Sequence, residues 1–249
     1  FQVTAFRAFD RLQRTRGDQK LIVLDGTHYD IDKPELWPSR PMFAWFDHWL
    51  KGEANGVRDW PAVQYVLAGQ PEGPLRSSPV WPPAGTSSTA STLMAPQRAL
   101  TINPAAPAPT LGGNHLTVSS GMLDQQPLLE RADVVELRGA ALPTGGLLLG
   151  TAEAELSVLQ AGAGDIVVKL VDRRPDGEVR LLRESVVALN GAGTVRVSFA
   201  PLAYAFDAGS VPGLVVAGAS LPGYRSPQPA LAGTVSLGSA QLQLPMAAE

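Results

Sequence analysis

The sequence contains no cysteine, only 3 histidines and few charged residues. The absence of cysteine excludes disulfides and thiolate metal ligands. Charged residues make up 17% of the chain and the formal net charge is −3, so no basic excess is available to neutralise the phosphates of a nucleic acid. No apolar run approaches the ~20 residues of a membrane-spanning helix. Nucleic acid and membrane are therefore not expected as partners.

Turn-forming residues are abundant, since 25 glycines and 22 prolines are spread over 249 residues. This content favours many turns over long helices. The apolar fraction of 45% is too high for a disordered chain and is enough for a sizeable core. We therefore expect one large domain or two small ones.

Residues 1–60 follow the order helix, strand, long loop, helix, which is typical of α/β proteins. Phe6, Phe9 and Leu12 recur at helical spacing and predict the first helix. The apolar run at 20–25 predicts a buried parallel strand. An aromatic-rich segment at 42–50 predicts an amphipathic helix that ends at Gly52.

From residue 61 onward the pattern changes to short strands separated by turn residues. A segment at 70–98 is rich in Pro, Ser, Thr and Gly and predicts a long surface connection. Arg173 to Gly177 predict a hairpin turn, with a positive φ at Gly177. Strands are predicted at 62–67, 134–137, 153–158, 166–171, 179–182, 194–199, 214–217, 234–237 and 241–244. Many short strands without helices between them indicate a β-sandwich or jelly roll.

Each histidine has a functional and a structural interpretation. His28 follows the predicted parallel strand in a loop opened by Gly26, where α/β sheets place ligands and catalytic groups, and the two interpretations are evenly balanced. For His48 and His115, in an aromatic helix and a turn-rich segment, a structural or surface role is favoured. No HExxH motif and no histidine pair at i, i+4 is present, so no metal site is predicted. Asp30 and Asp32 could bind a cation, but an exposed polar loop is favoured.

The sequence also lacks the G-x-S-x-G elbow that presents the nucleophile of an α/β-hydrolase. The nearest segment, 218–222, has Pro222 where the second glycine is needed. Ser220 is therefore not expected to be a nucleophile. No phosphate-binding G-x-x-x-x-G-K motif is present either.

Several collinear segments resemble cocaine-esterase-like serine hydrolases, a family that includes α-amino-acid ester hydrolases, glutaryl acylases and X-Pro dipeptidyl peptidases. LIVLDGTH at 21–28 resembles the strand and loop that carry the family's catalytic histidine, and FAWFDHWLKG at 43–52 resembles the helix that follows it. KLVDRRPDG at 169–177 is the most specific match. Further matches lie at 103–113, 124–127, 131–134 and 221–224.

The resemblance implies a mainly β fold, a jelly-roll β-sandwich preceded by the last helix, strand and helix of an α/β-hydrolase domain. Residues 1–60 would be the C-terminal remnant of that catalytic domain, and residues 61–249 the jelly-roll domain. The chain opens at Phe1 and not at a methionine. We expect it to be the C-terminal part of a longer protein.

The resemblance further implies a Ser-Asp-His triad of which only the histidine, His28, lies in this chain. The acid and the nucleophile would precede residue 1, so the chain alone is expected to be inactive. Implied partners are the N-terminal hydrolase portion and a small-molecule ester or amide or a short peptide as substrate. No cofactor is implied. A homo-oligomer and either a bacterial cytoplasmic or an exported location stay open.

The alternative is a non-catalytic β-sandwich module that binds a ligand or a partner, since a fold alone does not decide function. The first 52 residues argue against a free module. Their helices would expose Phe6, Phe9, Phe43 and Phe46 without a sheet to cover them. A piece of a larger hydrolase is the favoured interpretation.

Overall fold

The computed structural model describes residues 2–15, 18–25, 39–70, 72–115, 120–224 and 231–247. The chain divides into two compact units, residues 1–86 and residues 87–249. The first unit mixes helices and short strands, and the second contains almost only strands. The predicted division at residue 60 stays a prediction.

The first unit contains two helices and a small sheet. Their bounds are α1 Gln2–Gln13, β1 Leu21–Val23, α2 Ser39–Lys51, β2 Val63–Tyr65 and β3 Arg76–Ser78. β1 runs parallel to β2, with Leu21 opposite Val63, and β3 pairs antiparallel with β2. Residues 21–23 of the apolar run at 20–25 therefore form a parallel strand, as predicted, but only Leu21 of the three is buried.

Both predicted helices are present, and they cover their apolar side chains to different degrees. Phe6 and Phe9 of α1 are buried, and the Phe6 ring lies 5.1 Å from that of Trp81. α2 ends where Gly52, at φ +76°, donates its N–H to the His48 carbonyl at 3.0 Å. Phe43 and Leu50 of α2 are 60% and 78% exposed. Neither described helix is long and apolar enough to cross a membrane.

The second unit consists of antiparallel strands. Their bounds are β4 Thr86–Leu93, β5 Leu100–Ile102, β6 Val134–Arg138, β7 Gly146–Gly150, β8 Glu153–Gln160, β9 Ala163–Arg173, β10 Val179–Asn190, β11 Gly193–Ser198, β12 Leu202–Phe206, β13 Val211–Ala217 and β14 Gly233–Ala247. One sheet has the order β10-β9-β13-β6. The other has the order β11-β8-β14-β7-β12, with β4 and β5 also paired to β14. These sheets form a β-sandwich, which confirms the predicted fold class.

The central strand β9 is buried on both of its faces. Ile166, Val168 and Leu170 alternate with Val167, Lys169 and Val171, and all six are at most 1% exposed. The second of these faces is covered by residues 108–115 and 120–129, which precede β6 and are called the covering segment below. Val171 on this face belongs to an apolar cluster with Ala108 and Leu128. Each face of β9 also holds one buried ionisable side chain.

Some predicted elements differ from those observed. The segment at 70–98 contains β3 and β4 instead of an uninterrupted connection, because its Ser and Thr side chains suit an exposed strand and β4 pairs with β14. The strands predicted at 234–237 and 241–244 are one strand, β14, whose register shifts between Leu237 and Ala240. The hairpin between β9 and β10 is as predicted, with Gly177 at φ +96°.

Candidate functional site

The residue favoured for catalysis by family resemblance, His28, lies outside the described residues, as do Asp30 and Asp32. The chain before His28 is described as far as Asp25. Asp25 Oδ2 accepts a hydrogen bond from the Gly69 N–H at 2.7 Å, so this carboxylate links the end of β1 to the turn after β2. His28 is thus preceded by a parallel strand, and a hydrogen bond holds the chain just after the C-terminal end of that strand.

His48 has the structural surroundings that its position in an aromatic helix indicates. Its Nδ1 lies 2.8 Å from the Glu53 carbonyl oxygen, and its ring packs edge-on against Trp49 at a centroid distance of 4.9 Å. The imidazole therefore helps to hold the chain just after α2.

Ser220 is fully buried, and its hydroxyl contacts another hydroxyl instead of a base. Ser220 Oγ donates to Thr110 Oγ1 at 3.3 Å, and Thr110 Oγ1 also accepts the Gly223 N–H at 2.8 Å. Backbone bridges between Pro109 and Leu221 join the same two segments. Ser220 thus connects one loop to another.

His115 departs from the expected surface role. Its Nε2 lies 2.7 Å from Glu184 Oε1 on β10, and both side chains are only 14% exposed. The backbone at Gly113 and Gly223 approaches the pair so closely that a β-carbon at Gly223 would lie 2.6 Å from His115 Cε1. The glycines on either side of His115 thus explain why an imidazole in a turn-rich segment is largely covered.

Glu184 also lies next to a buried lysine on the covered face of β9. Glu184 lies opposite Lys169 in the β9–β10 ladder, and Lys169 Nζ donates to Gln125 Oε1 at 2.7 Å. Gln125 Nε2 in turn donates to the carbonyls of Leu111 and Leu123. Burial lowers the pKa of Lys169, and the negative charge of Glu184 opposes this shift. The cluster attaches the covering segment to the sheet.

The opposite face of β9 carries a buried acid that joins the two sheets of the sandwich. Asp172 Oδ2 accepts hydrogen bonds from Tyr204 Oη of β12 at 2.8 Å and from Ser210 Oγ at 3.2 Å. Asp172 is fully buried and its Oδ1 has no partner among the described residues. Burial raises the pKa of Asp172, while the two hydrogen bonds oppose this shift, and burial also raises the pKa of Tyr204.

These clusters were not predicted as sites, although the sequence contains a signal for both. Lys169 and Asp172 are charged residues inside an otherwise apolar segment, VVKLVD. Buried charges of this kind need hydrogen-bonding partners, which Gln125 and Tyr204 supply. Within the described part of the chain, no hydrogen bond joins a histidine side chain to a serine side chain, and no group of three or more His, Asp or Glu residues could hold a metal ion.

The fold defines the class of protein, an antiparallel β-sandwich preceded by a small α/β segment. Residues 55–244 match the family model described as the X-Pro dipeptidyl-peptidase C-terminal non-catalytic domain. Because the match covers most of the chain, the chain belongs to this family. The resemblance to cocaine-esterase-like and X-Pro dipeptidyl-peptidase-type hydrolases is thereby confirmed, and His28 precedes the matched region.

Solved structures of larger hydrolases share the fold. An aminopeptidase from a marine sediment Thaumarchaeota archaeon is 15% identical with a TM-score of 0.65, over 95% of this chain and 49% of its own. An α-amino acid ester hydrolase is 15% identical with a TM-score of 0.66, over 82% and 44%. A CocE/NonD family hydrolase from Staphylococcus aureus is 14% identical with a TM-score of 0.60, over 96% and 51%.

The chain spans about half the length of these structures. At this level of identity the likeness concerns the fold alone. No curated protein gives a significant match to the sequence. The domain is therefore one that occurs in larger hydrolases and is itself described as non-catalytic.

Proposed function

We propose that this chain is the C-terminal part of a serine hydrolase for ester or amide bonds, in which His28 is the general base. The observation that carries the proposal is the parallel strand β1, Leu21–Val23, which leads directly into the segment with His28. Catalytic groups of α/β folds follow the carboxyl ends of parallel strands, and in α/β-hydrolases the histidine is the last triad member along the chain.

In this proposal His28 accepts the proton of a serine hydroxyl as that oxygen attacks the substrate carbonyl. The same proton then passes to the leaving alcohol or amine, and water releases the acyl group in a second step. The serine and the orienting acid would belong to the preceding part of the protein. The absence of a G-x-S-x-G motif from this chain supports that assignment.

The exposed apolar side chains of α2 support the preceding hydrolase portion as a binding partner of this chain. Phe43, Phe46 and Trp49 are between 44% and 60% exposed, and Leu50 is 78% exposed. Positions 43, 46 and 50 share one face of α2 by their helical spacing, and an exposed apolar face of a helix usually packs against further protein. We assign its cover to the preceding hydrolase portion. The substrate would be a small ester or amide or a short peptide.

The β-sandwich has a supporting role in this proposal. Its buried polar groups hold its own layers together, as Lys169 does with Gln125 and Asp172 does with Tyr204. The matched family description, a non-catalytic domain, agrees with that role. A sandwich that acts only as a binding module, independent of any hydrolase, is the competing interpretation, and a test of His28 distinguishes the two.

The test is His28→Ala in the longer protein, assayed on chromogenic short-chain esters and X-Pro anilides. Loss of a triad member typically costs about 10⁴-fold or more in kcat, and we expect a loss of that order with little change in KM. His48→Ala is the matched control, because the His48 ring contacts Glu53 and Trp49 at the end of α2, and it should keep kcat within a few-fold. Equal activity of His28→Ala and His48→Ala would exclude His28 as the base.

A further inference from the structure

The four asparagines of the chain differ in their reactivity toward the backbone amide that follows each one. Asn55 and Asn190 precede Gly56 and Gly191, whereas the other two, at 103 and 114, precede a proline and a histidine. An asparagine deamidates when the next backbone nitrogen attacks its side-chain carbonyl carbon. Glycine leaves that nitrogen unhindered because it has no β-carbon, whereas proline has no N–H to lose. Only Asn55 and Asn190 therefore have the local sequence for rapid reaction.

Asn190 is positioned for this reaction. It is the last residue of β10, it is exposed, and its side chain has no hydrogen-bond partner among the described residues. The turn that follows it is open, since a β-carbon at Gly191 would meet nothing within 4 Å. The side-chain amide is thus free to rotate toward the Gly191 nitrogen.

Asn55 has the same neighbour but a held side chain. Its Nδ2 donates to the Ala44 carbonyl at 2.6 Å, and its Oδ1 accepts the Val57 N–H at 3.3 Å. Both hydrogen bonds must break before the side-chain carbon can approach the Gly56 nitrogen. The two glycines are alike in having positive φ values, +74° at Gly56 and +101° at Gly191. The asparagine side chains account for the difference between the sites.

We propose that Asn190 is a site of spontaneous deamidation in the folded protein, and that the fold protects Asn55. A bond forms between the Gly191 nitrogen and Asn190 Cγ, the Cγ–Nδ2 bond breaks, and ammonia leaves with the proton of the Gly191 amide. Water then opens the succinimide ring at either carbonyl, which gives aspartate or isoaspartate. Each product adds one negative charge to a chain of formal net charge −3.

The location makes the isoaspartate product consequential for the sandwich. β10 belongs to the sheet with β9, and β11, which begins at Gly193, belongs to the sheet with β8. The turn at residues 190–193 therefore carries the chain from one sheet to the other. Isoaspartate lengthens the backbone there by one atom, next to the last β9–β10 pair, Asn190 opposite Ala163.

The experiment is a time course of the full chain at mildly alkaline pH, followed by a short tryptic digest near neutral pH and mass spectrometry. Trypsin-type cleavage releases Asn55 in peptide 52–58 and Asn190 in peptide 184–196, each with a single asparagine. We expect the one-mass-unit gain to appear at Asn190 at least about tenfold faster than at Asn55, as the rupture of two hydrogen bonds implies. In urea the two rates should become similar, because both sites are then plain Asn-Gly sequences.

Asn190→Gln should abolish the fast product and Asn55→Gln should leave it unchanged. Similar rates at the two sites in the folded protein would overturn the proposal. A lack of conversion at Asn190 in the folded protein, over a period in which the urea-unfolded chain converts, would overturn it as well.

Discussion

The two compact units of the chain differ in how completely they cover their own apolar side chains. In the unit at 87–249, Leu156, Leu170 and Leu214 are fully buried within the sandwich. In the unit at 1–86, α2 leaves Phe43 and Leu50 largely in solvent. The second unit thus buries these leucines on strands of both of its sheets. The first presents an apolar surface of the kind that larger assemblies cover.

The strongest test of this difference compares the same substitution in both units. Leu170→Ala removes a fully buried side chain from β9 and should lower the free energy of unfolding by about 3 kcal/mol, through lost burial and a new cavity. Leu50→Ala on α2 should change it by less than about 0.5 kcal/mol, because Leu50 is 78% exposed. Denaturant titration of the chain measures both. Equal losses of stability would contradict the difference in burial between the two side chains.

A smaller loss of unfolding free energy is expected when a buried tyrosine loses its hydroxyl group. Tyr204→Phe removes the hydrogen bond to the buried Asp172 carboxylate, and we expect a loss of about 1–3 kcal/mol. Tyr65→Phe in the first unit is the control, since the Tyr65 hydroxyl has no hydrogen-bond partner among the described residues. Its stability should stay within about 0.5 kcal/mol of the parent chain. The comparison would fail if the two variants were indistinguishable by thermal or chemical unfolding.

The smallest effect concerns the pH dependence of stability. Burial raises the pKa of Asp172 above the ordinary 3.8, so the folded chain holds this proton over a pH range in which the unfolded chain has released it. The stabilisation is full below the unfolded pKa and is lost as pH rises through the folded pKa. Asp172→Asn should therefore flatten the fall in stability with rising pH in that interval. The assignment would be contradicted if Asp172→Asn and the parent chain lost the same unfolding free energy as the pH rises across this interval.

Much of the fold follows from local patterns in the sequence. The hairpin between β9 and β10 is predictable because Arg173 to Gly177 combine a proline, an Asp-Gly pair and flanking apolar runs. The predicted positive φ is found at Gly177. β12 was not predicted, because its residues, LAYAF, show no period that separates a short strand from a helix segment. β14 was predicted as two strands because its register shift falls at a glycine-containing stretch.

The polar clusters were less predictable than the strands, since they depend on contacts that are distant in sequence. His115 and Glu184 are far apart in the chain and meet only because β10 runs beside the covering segment. Lys169 shows the same limit: its position in an apolar run indicates burial, but nothing local identifies Gln125 as its partner. The assignment of His28 rests on family resemblance and on the strand before it, and it stays a prediction.

The central claim is tested most directly by labelling with a fluorophosphonate, a probe whose phosphorus forms a bond to the oxygen of an activated serine as fluoride leaves. The longer protein should incorporate the probe at a serine outside these 249 residues, at a rate that His28→Ala sharply reduces. The 249-residue chain alone should remain unlabelled, because a base without its serine and acid has nothing to activate. Stoichiometric labelling of a serine within this chain would contradict the account.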